Sequence, residues 1–196
     1  MPSEPLVLGF DTSAAHCAAA LLLGDRVLAM RAEPMARGQA ERLMPLLEEV
    51  LAEAGHVWGD LARIGVGVGP GNFTGIRIGV SAARGLALAL DIPAIGVSGF
   101  EIIAEAEGPD AIPAIPAPQG QAYTWRDGAP VFCTAEDLAK DLPGAAALPE
   151  PQEMARHIAR VATRTEAAPA PVPLYVKPAD AAPPRDAPPE IVDDLG

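Results

Sequence analysis

Residues 65–79 read GVGVGPGNFTGIRIG, with glycine at 65, 67, 69, 71, 75 and 79. Two readings compete: a loop that cradles phosphate, or glycines that let neighbouring elements pack closely. A Walker loop needs two glycines five positions apart followed by lysine. No such pair occurs in the stretch, and the chain has no lysine before Lys140. The dinucleotide pattern G-x-G-x-x-G fails in each register, because glycine would be required at Pro70, Asn72 or Thr74. Only the free N–H groups of a helix N-terminus remain to attract an anion. The structural reading is therefore preferred. Ile64, Val66 and Val68 alternate with Gly65, Gly67 and Gly69, so a strand here has one β-branched face and one of bare backbone. A helix or a ligand approaches that bare face closely.

Working outward, residues 75–90 read as a helix with Asn72 or Thr74 as N-cap. Its only charges are Arg77 and Arg84, so it is expected to be buried nearly all round. Gly75, Gly79 and Gly85 each cost about 1 kcal/mol relative to alanine in a helix, which close helix contact would offset. Upstream, LVLGF (6–10) is a short buried strand, and CAAALLL (17–23) and RVLAMRA (26–32) flank the hairpin signal Gly24-Asp25. A helix at 39–55 follows, IPAIGV (92–97) is a further strand, and Ser98 with Glu101 forms a capping-box pattern opening a short helix. The order βββαβαβα, a hairpin meander feeding parallel βα units, is the half-fold of the actin, sugar-kinase and Hsp70 ATPase group.

The character of the chain changes near residue 105, where prolines become frequent. The expected organisation is a first lobe at 1–104, a smaller second lobe at 105–168 and a proline-rich extended segment at 169–196. The net charge of −12 and the 4% aromatic content oppose unaided RNA binding, which rests on cations for phosphate and on stacking platforms for bases. No run approaches 18 uninterrupted apolar residues, so no membrane span is expected. Two cysteines are too few for a disulfide framework, and a reducing cytoplasm is the default.

FDTSAA after the first strand, ERLMPLLEEVL on the first helix and VGPGNFTGIRIGVSAARGLA resemble the bacterial TsaB family (older name YeaZ) closely over residues 6–104. QGQAY (119–123) and PLYVKP (173–178) look like the family's later signatures, but family members often carry Asp-Ala-Arg before the former, where this chain reads PAPQG. The resemblance implies an α/β, actin-like ATPase (ribonuclease H-like) fold of two lobes with the second reduced. It implies a supporting, non-catalytic role in attaching threonylcarbamoyl to the adenosine beside the anticodon of tRNAs reading A-starting codons. The implied partners are the paralogous transferase TsaD, as a heterodimer, and the ATPase TsaE. Alone, the chain is expected to pair with itself. It would hold no cofactor of its own, with ATP and Mg²⁺ entering at the level of the complex. An independent ATPase or kinase of the same fold is the alternative, but residues 105–196 offer no glycine-rich phosphate loop for it.

His16, His56 and His157 lie too far apart in sequence for a paired-histidine metal motif, so no metal site is expected. Asp11 occupies the position where actin-like ATPases place a carboxylate near Mg²⁺, yet Asp11 and Thr12 are expected to bond the following turn. Ser13 has no base assigned to it, His16 and His56 read as turn residues, and Tyr123 and Trp125 read as second-lobe core. Asp11, Thr12, Ser13, Gly69, Pro70, Gly71, Thr74, Gly75 and Arg77 make up the family motif and a relic nucleotide pocket. The first helix carries an apolar arc wider than one sheet requires, with Met44, Leu47 and Leu51 on its outer flank. With Gly75, Gly79, Ala82, Ala83 and Leu86 along one side of the second helix, these residues form the expected partner surface.

Overall fold

The computed structural model describes residues 4–166 and 168–176. The expected proline-rich segment from residue 177 onward lies outside the described residues. Strand β1 (Leu6–Asp11) is buried along its whole length, and β2 (His16–Leu23) in all but its last residue. Apolar runs of this kind belong in the middle of a sheet covered on both faces. With β3 (Arg26–Pro34), β4 (Arg63–Gly67) and β5 (Ala94–Val97) they form a five-stranded sheet of order β3-β2-β1-β4-β5. β1 runs antiparallel to β2 and parallel to β4, and β4 runs parallel to β5. Gly24, at φ 60°, opens the two-residue turn that joins β2 to β3. The α/β, actin-like (ribonuclease H-like) fold expected from the element order is the fold observed.

Side chains alternate across the sheet. Leu8, Phe10, Leu21, Ile64 and Val66 face α1 (Gln39–Glu53) and α2 (Phe73–Leu90) in one cluster. Val7, Ala18, Ala20 and Leu22 face the other way, toward a helix whose residues the sequence reading assigned to the second lobe. That helix is α5 (Pro151–Arg164), whose Met154, Ala155, Ile158, Ala159 and Ala162 recur at helical spacing and bury on the sheet. The bare strand face is therefore explained. A Cβ on Gly9 would lie 2.5 Å from the Ala155 carbonyl oxygen, and one on Gly65 would lie 2.8 Å from the Ile158 side chain. The 105–168 lobe consequently divides: residues 151–164 belong to the first lobe's layers. Composition changed at residue 105, but packing did not follow it.

What remains of the second lobe is a meander of β6 (Ile115–Ala117), β7 (Gln121–Arg126) and β8 (Ala129–Thr134), with α4 (Ala135–Asp141) alongside. Asp127 and Gly128 both take positive φ, at 50° and 78°, in the turn between β7 and β8. This is the Asp-Gly hairpin signal, which the sequence reading did not use. Phe100 and Ile103 of α3 (Gly99–Glu107) join Ile115 and Tyr123 in the small core between the lobes. Trp125 was expected in the second-lobe core; instead it is 44% exposed and edge-on to Phe100 at 5.2 Å.

The wide apolar arc of α1 is used up within the lobe. Leu43, Leu46, Leu47, Val50 and Leu51 are all buried between the sheet and α2. Outside them, Arg42 bonds both Glu33 of β3 and Glu49, and Arg31 of β3 bonds Glu49 and Glu53. This network ties α1 to the edge strand. By length and composition α2 alone, among the described residues, is apolar enough to cross a membrane. Here Ile76, Val80 and Ala83 turn inward onto the sheet, and Ser98 caps α3 with Glu101 as the capping box predicts.

Glycines of two kinds give a direct test. Gly9→Val forces a side chain into the α5 backbone and is expected to lower stability by about 1–3 kcal/mol or more. Gly85 faces open space on α2, so Gly85→Ala is expected to raise stability by about 0.5–1 kcal/mol. Urea unfolding midpoints of the two variants against the parent check both signs.

Candidate functional site

The motif residues meet where the β1–β2 turn abuts the start of α2. Asp11 is 1% exposed and its Oδ2 accepts from Ser13 N at 2.8 Å, Ser13 Oγ at 2.9 Å and His16 Nε2 at 2.7 Å. His16 is thus not a loose turn residue. It begins β2, is buried, and its reach back to Asp11 was available in the motif DTSAAH itself. The order of groups is not that of a serine–imidazole–carboxylate triad, because the Asp11 carboxylate lies between Ser13 and His16. The adjacent Cys17 is unsuited to attack: burial, reinforced by the Glu33 carboxylate, pushes its thiol up to about 11.

Thr12 joins this turn to α2. Its hydroxyl donates to the Gly75 carbonyl at 2.7 Å. Asn72 N donates to the Ser13 carbonyl at 2.6 Å, and Asn72 Oδ1 caps the helix by accepting from Gly75 N at 2.9 Å. The amide of Gln39, the first residue of α1, sits within 2.6–3.2 Å of the carbonyls of Thr12, Ala14 and His16. A Cβ on Gly71 would stand 2.3 Å from the Ser13 carbonyl oxygen, one on Gly75 1.9 Å from that of Thr12, and one on Gly79 2.8 Å from the Thr12 hydroxyl. The loop glycines thus admit the chain's own backbone at the place where a phosphate loop would admit a ligand. Gly67 serves the same end. The other Asp11 oxygen, Oδ1, has no hydrogen-bond donor among the described residues and lies where a Gly67 Cβ would be, a contact that the glycine Cα–H can support.

The remaining motif residues separate. Gly69, at φ 96°, accepts from Gly99 N at 2.9 Å, and the Gly69–Pro70 peptide is cis. Thr74 and Arg77 lie on the outer side of α2, away from Asp11, and line a groove of about 490 Å³ between α1 and α2. This groove revises the expected partner surface. Leu47 and Leu51 are core, and Gly75, Gly79 and Ala83 face inward, so none of these is offered outside. Ala82 and Leu86 are half-buried. Met44, at 36% exposure, together with Phe73, Ile78 and Ser81 forms the accessible lining. An arc on a helical wheel shows how much surface is covered, not which neighbour covers it.

A β1–β2 turn carrying an aspartate and locked against a glycine-rich helix start defines an actin-like lobe of the ribonuclease H-like class. The family model TsaD, tRNA N6-adenosine threonylcarbamoyltransferase, matches residues 31–172. The tRNA threonylcarbamoyladenosine biosynthesis protein TsaB of Escherichia coli (strain K12) is 33% identical over 126 residues, covering 62% of this chain and 54% of that protein. TsaB of Bacillus subtilis (strain 168) is 38% identical over 122 residues, 60% of this chain and 53% of that protein. The structure of YeaZ from Pseudomonas aeruginosa superposes with a TM-score of 0.70 at 27% identity, covering 88% of this chain and all of that one. The chain belongs to the family that this model describes, and within it is similar to the proteins named TsaB and to YeaZ. It spans about half the length of the curated relatives it matches.

Asp11→Ala is expected to destabilise the fold by about 2–4 kcal/mol, since it strands the buried donors of Ser13 and His16. Asp11→Asn, which keeps an acceptor, is expected to cost less. Thermal and urea unfolding check the order; equal losses, or none, would show that the cluster does not hold the turn.

Proposed function

We propose that this chain is a non-catalytic partner subunit in threonylcarbamoyl transfer to tRNA. It would act through the helix pair α1–α2 on a TsaD-type transferase, with a TsaE-type ATPase completing the assembly. The observation that carries the reading is the contrast between the two places where the family motif could act. The Asp11–Thr12 turn is closed on the chain's own backbone, while the α1–α2 groove, lined by Met44, Phe73 and Ile78, is apolar and open. Because the family model that matches this chain is that of the transferase itself, the partner has a helix pair of the same kind to lay against it. Two such pairs make a four-helix packing. A second copy of this chain could occupy the same groove, so self-pairing and partner binding compete.

Nucleotide and Mg²⁺ belong, on this reading, to the complex and not to the chain alone. Direct tRNA binding is likewise left to the partner. Arg156, Arg160 and Arg164 form a basic row on α5, but Glu153, Asp25 and Glu105 pair with them, and the chain's net charge is −12.

The test uses Met44→Glu and Ile78→Glu, singly and together, against the transferase from the same source. Each charge placed in an apolar interface is expected to weaken binding at least about 100-fold, with circular dichroism and melting unchanged. Binding retained by the double variant would overturn the groove. Threonylcarbamoyl transfer to tRNA by the isolated chain, supplied with donor and no partner, would overturn the non-catalytic role.

A further inference from the structure

Beyond α5 the chain runs as a strap from Ala168 to Val176 without helix or strand. The sequence reading expected this part to be extended and unpacked; it is extended but seated. Pro171 is buried at β5, where a Cβ on Gly96 would lie 3.2 Å from it. Leu174 N donates to the Val68 carbonyl at 2.8 Å, and the Leu174 side chain packs on both the main core and the small interlobe core. The next residue, Tyr175, is thereby laid on the start of α2. Its ring centroid is 4.6 Å from that of Phe73, and its hydroxyl accepts from Arg77 Nε at 3.0 Å. The Arg77 guanidinium carbon in turn lies 3.8 Å from the Phe73 ring centroid. Residues nearly a hundred positions apart thus clamp one arginine at the rim of the α1–α2 groove.

Arg77, like Arg63, is held without a carboxylate among the described residues, but Arg63 Nη1 is taken up by the Ala162 and Thr165 carbonyls, whereas Arg77 is fixed through Nε and its ring contact. Arg31, Arg42, Arg126, Arg156, Arg160 and Arg164 each have a carboxylate within 4.0 Å, whereas Arg77 has none among the described residues. Its ring stacking and its Nε bond fix the side chain, and Nη1 and Nη2 make no hydrogen bond among the described residues. A guanidinium held in this way has already lost its rotamer freedom and presents a planar fork suited to a carboxylate. Phe73 and Tyr175 are 37% and 41% exposed, and Phe73 lines the groove together with Arg77. The clamp is therefore continuous with the surface assigned to the partner.

We propose that Arg77 is the polar anchor of the docking surface, that it receives an aspartate or glutamate from the helix pair of the transferase partner, and that the strap, through Tyr175, positions it. This rests on the docking reading above. Occupation of an apolar groove depends on area, but a single oriented ion pair at its rim selects register and partner. The strap thus makes the strength of docking depend on how the C-terminal part of the chain is seated.

Calorimetric titration of the same-source transferase into the full chain, at low and high salt, tests this. Arg77→Ala is expected to bind about 10–100-fold more weakly and to lose most of the salt dependence. Arg77→Lys, which keeps the charge without the fork, is expected to recover only part. Tyr175→Ala is expected to weaken binding about 3–10-fold while unfolding behaviour holds, and Tyr175→Phe, which removes only the hydroxyl, to lose less. Parent-like binding by both Arg77→Ala and Tyr175→Ala overturns the inference. If Met44→Glu and Ile78→Glu abolish binding in that same series, the groove reading stands without the anchor; if they too bind normally, both fall. A change confined to self-association, measured by sedimentation, also overturns it.

Discussion

Thr12 is the residue on which the rest of the lobe turns. Its carbonyl occupies the space that a side chain on Gly75 would need, and its hydroxyl donates back to the Gly75 carbonyl at 2.7 Å. That double contact sets the depth at which α2 meets the sheet. Glycine at 71, 75 and 79 is then a steric requirement, because a Cβ at any of them would run into the β1–β2 turn. The Asp11 carboxylate gathers the turn from the other side by holding Ser13 and His16. Gln39 closes the ring by reaching the turn's carbonyls from the start of α1. The Ser13, Asn72 and Gly75 amides are thereby satisfied within the chain.

The sheet is sandwiched by that arrangement and by its counterpart on the opposite face. There the small residues of α5 meet Gly9 and Gly65, and a helix remote in sequence completes the first lobe. With both faces covered, α1 and α2 have only their outer sides left open, and a shallow groove of about 490 Å³ lies between them. The closed turn and the open groove are two results of one packing solution.

Much of this was legible in the sequence. β1 to β5 and α1 to α3 lie close to where periodicity and turn residues placed them, since those signals are local: Gly24-Asp25 for the hairpin, Asn72 and Ser98 for the caps. The destination of α5 was not legible. Its amphipathic pattern says that one face is buried, but not on which sheet. Leu47 and Leu51 were read as outer residues for the same reason, since a helical arc does not name its neighbour. His16 was missed despite standing five residues from Asp11, because it was judged by its place in a turn and not by its reach. Asp127-Gly128 carried a plain hairpin signal within the proline-rich half. The seat of Tyr175 depends on two contacts nearly a hundred residues away, which no local pattern carries.

We infer that the GVGVGPGNFTGIRIG stretch packs against the chain's own backbone and takes no phosphate there. Amide resonances of Gly71, Asn72 and Gly75 in the isolated chain, followed while ATP and Mg²⁺ are added to millimolar concentration, test it most directly. No saturable shift at these amides is predicted, because the Asn72 and Gly75 amides are already bonded to Ser13 and Asn72 and the space beside Gly71 and Gly75 is filled by backbone. Saturable shifts centred on these three residues would show that the loop binds the nucleotide.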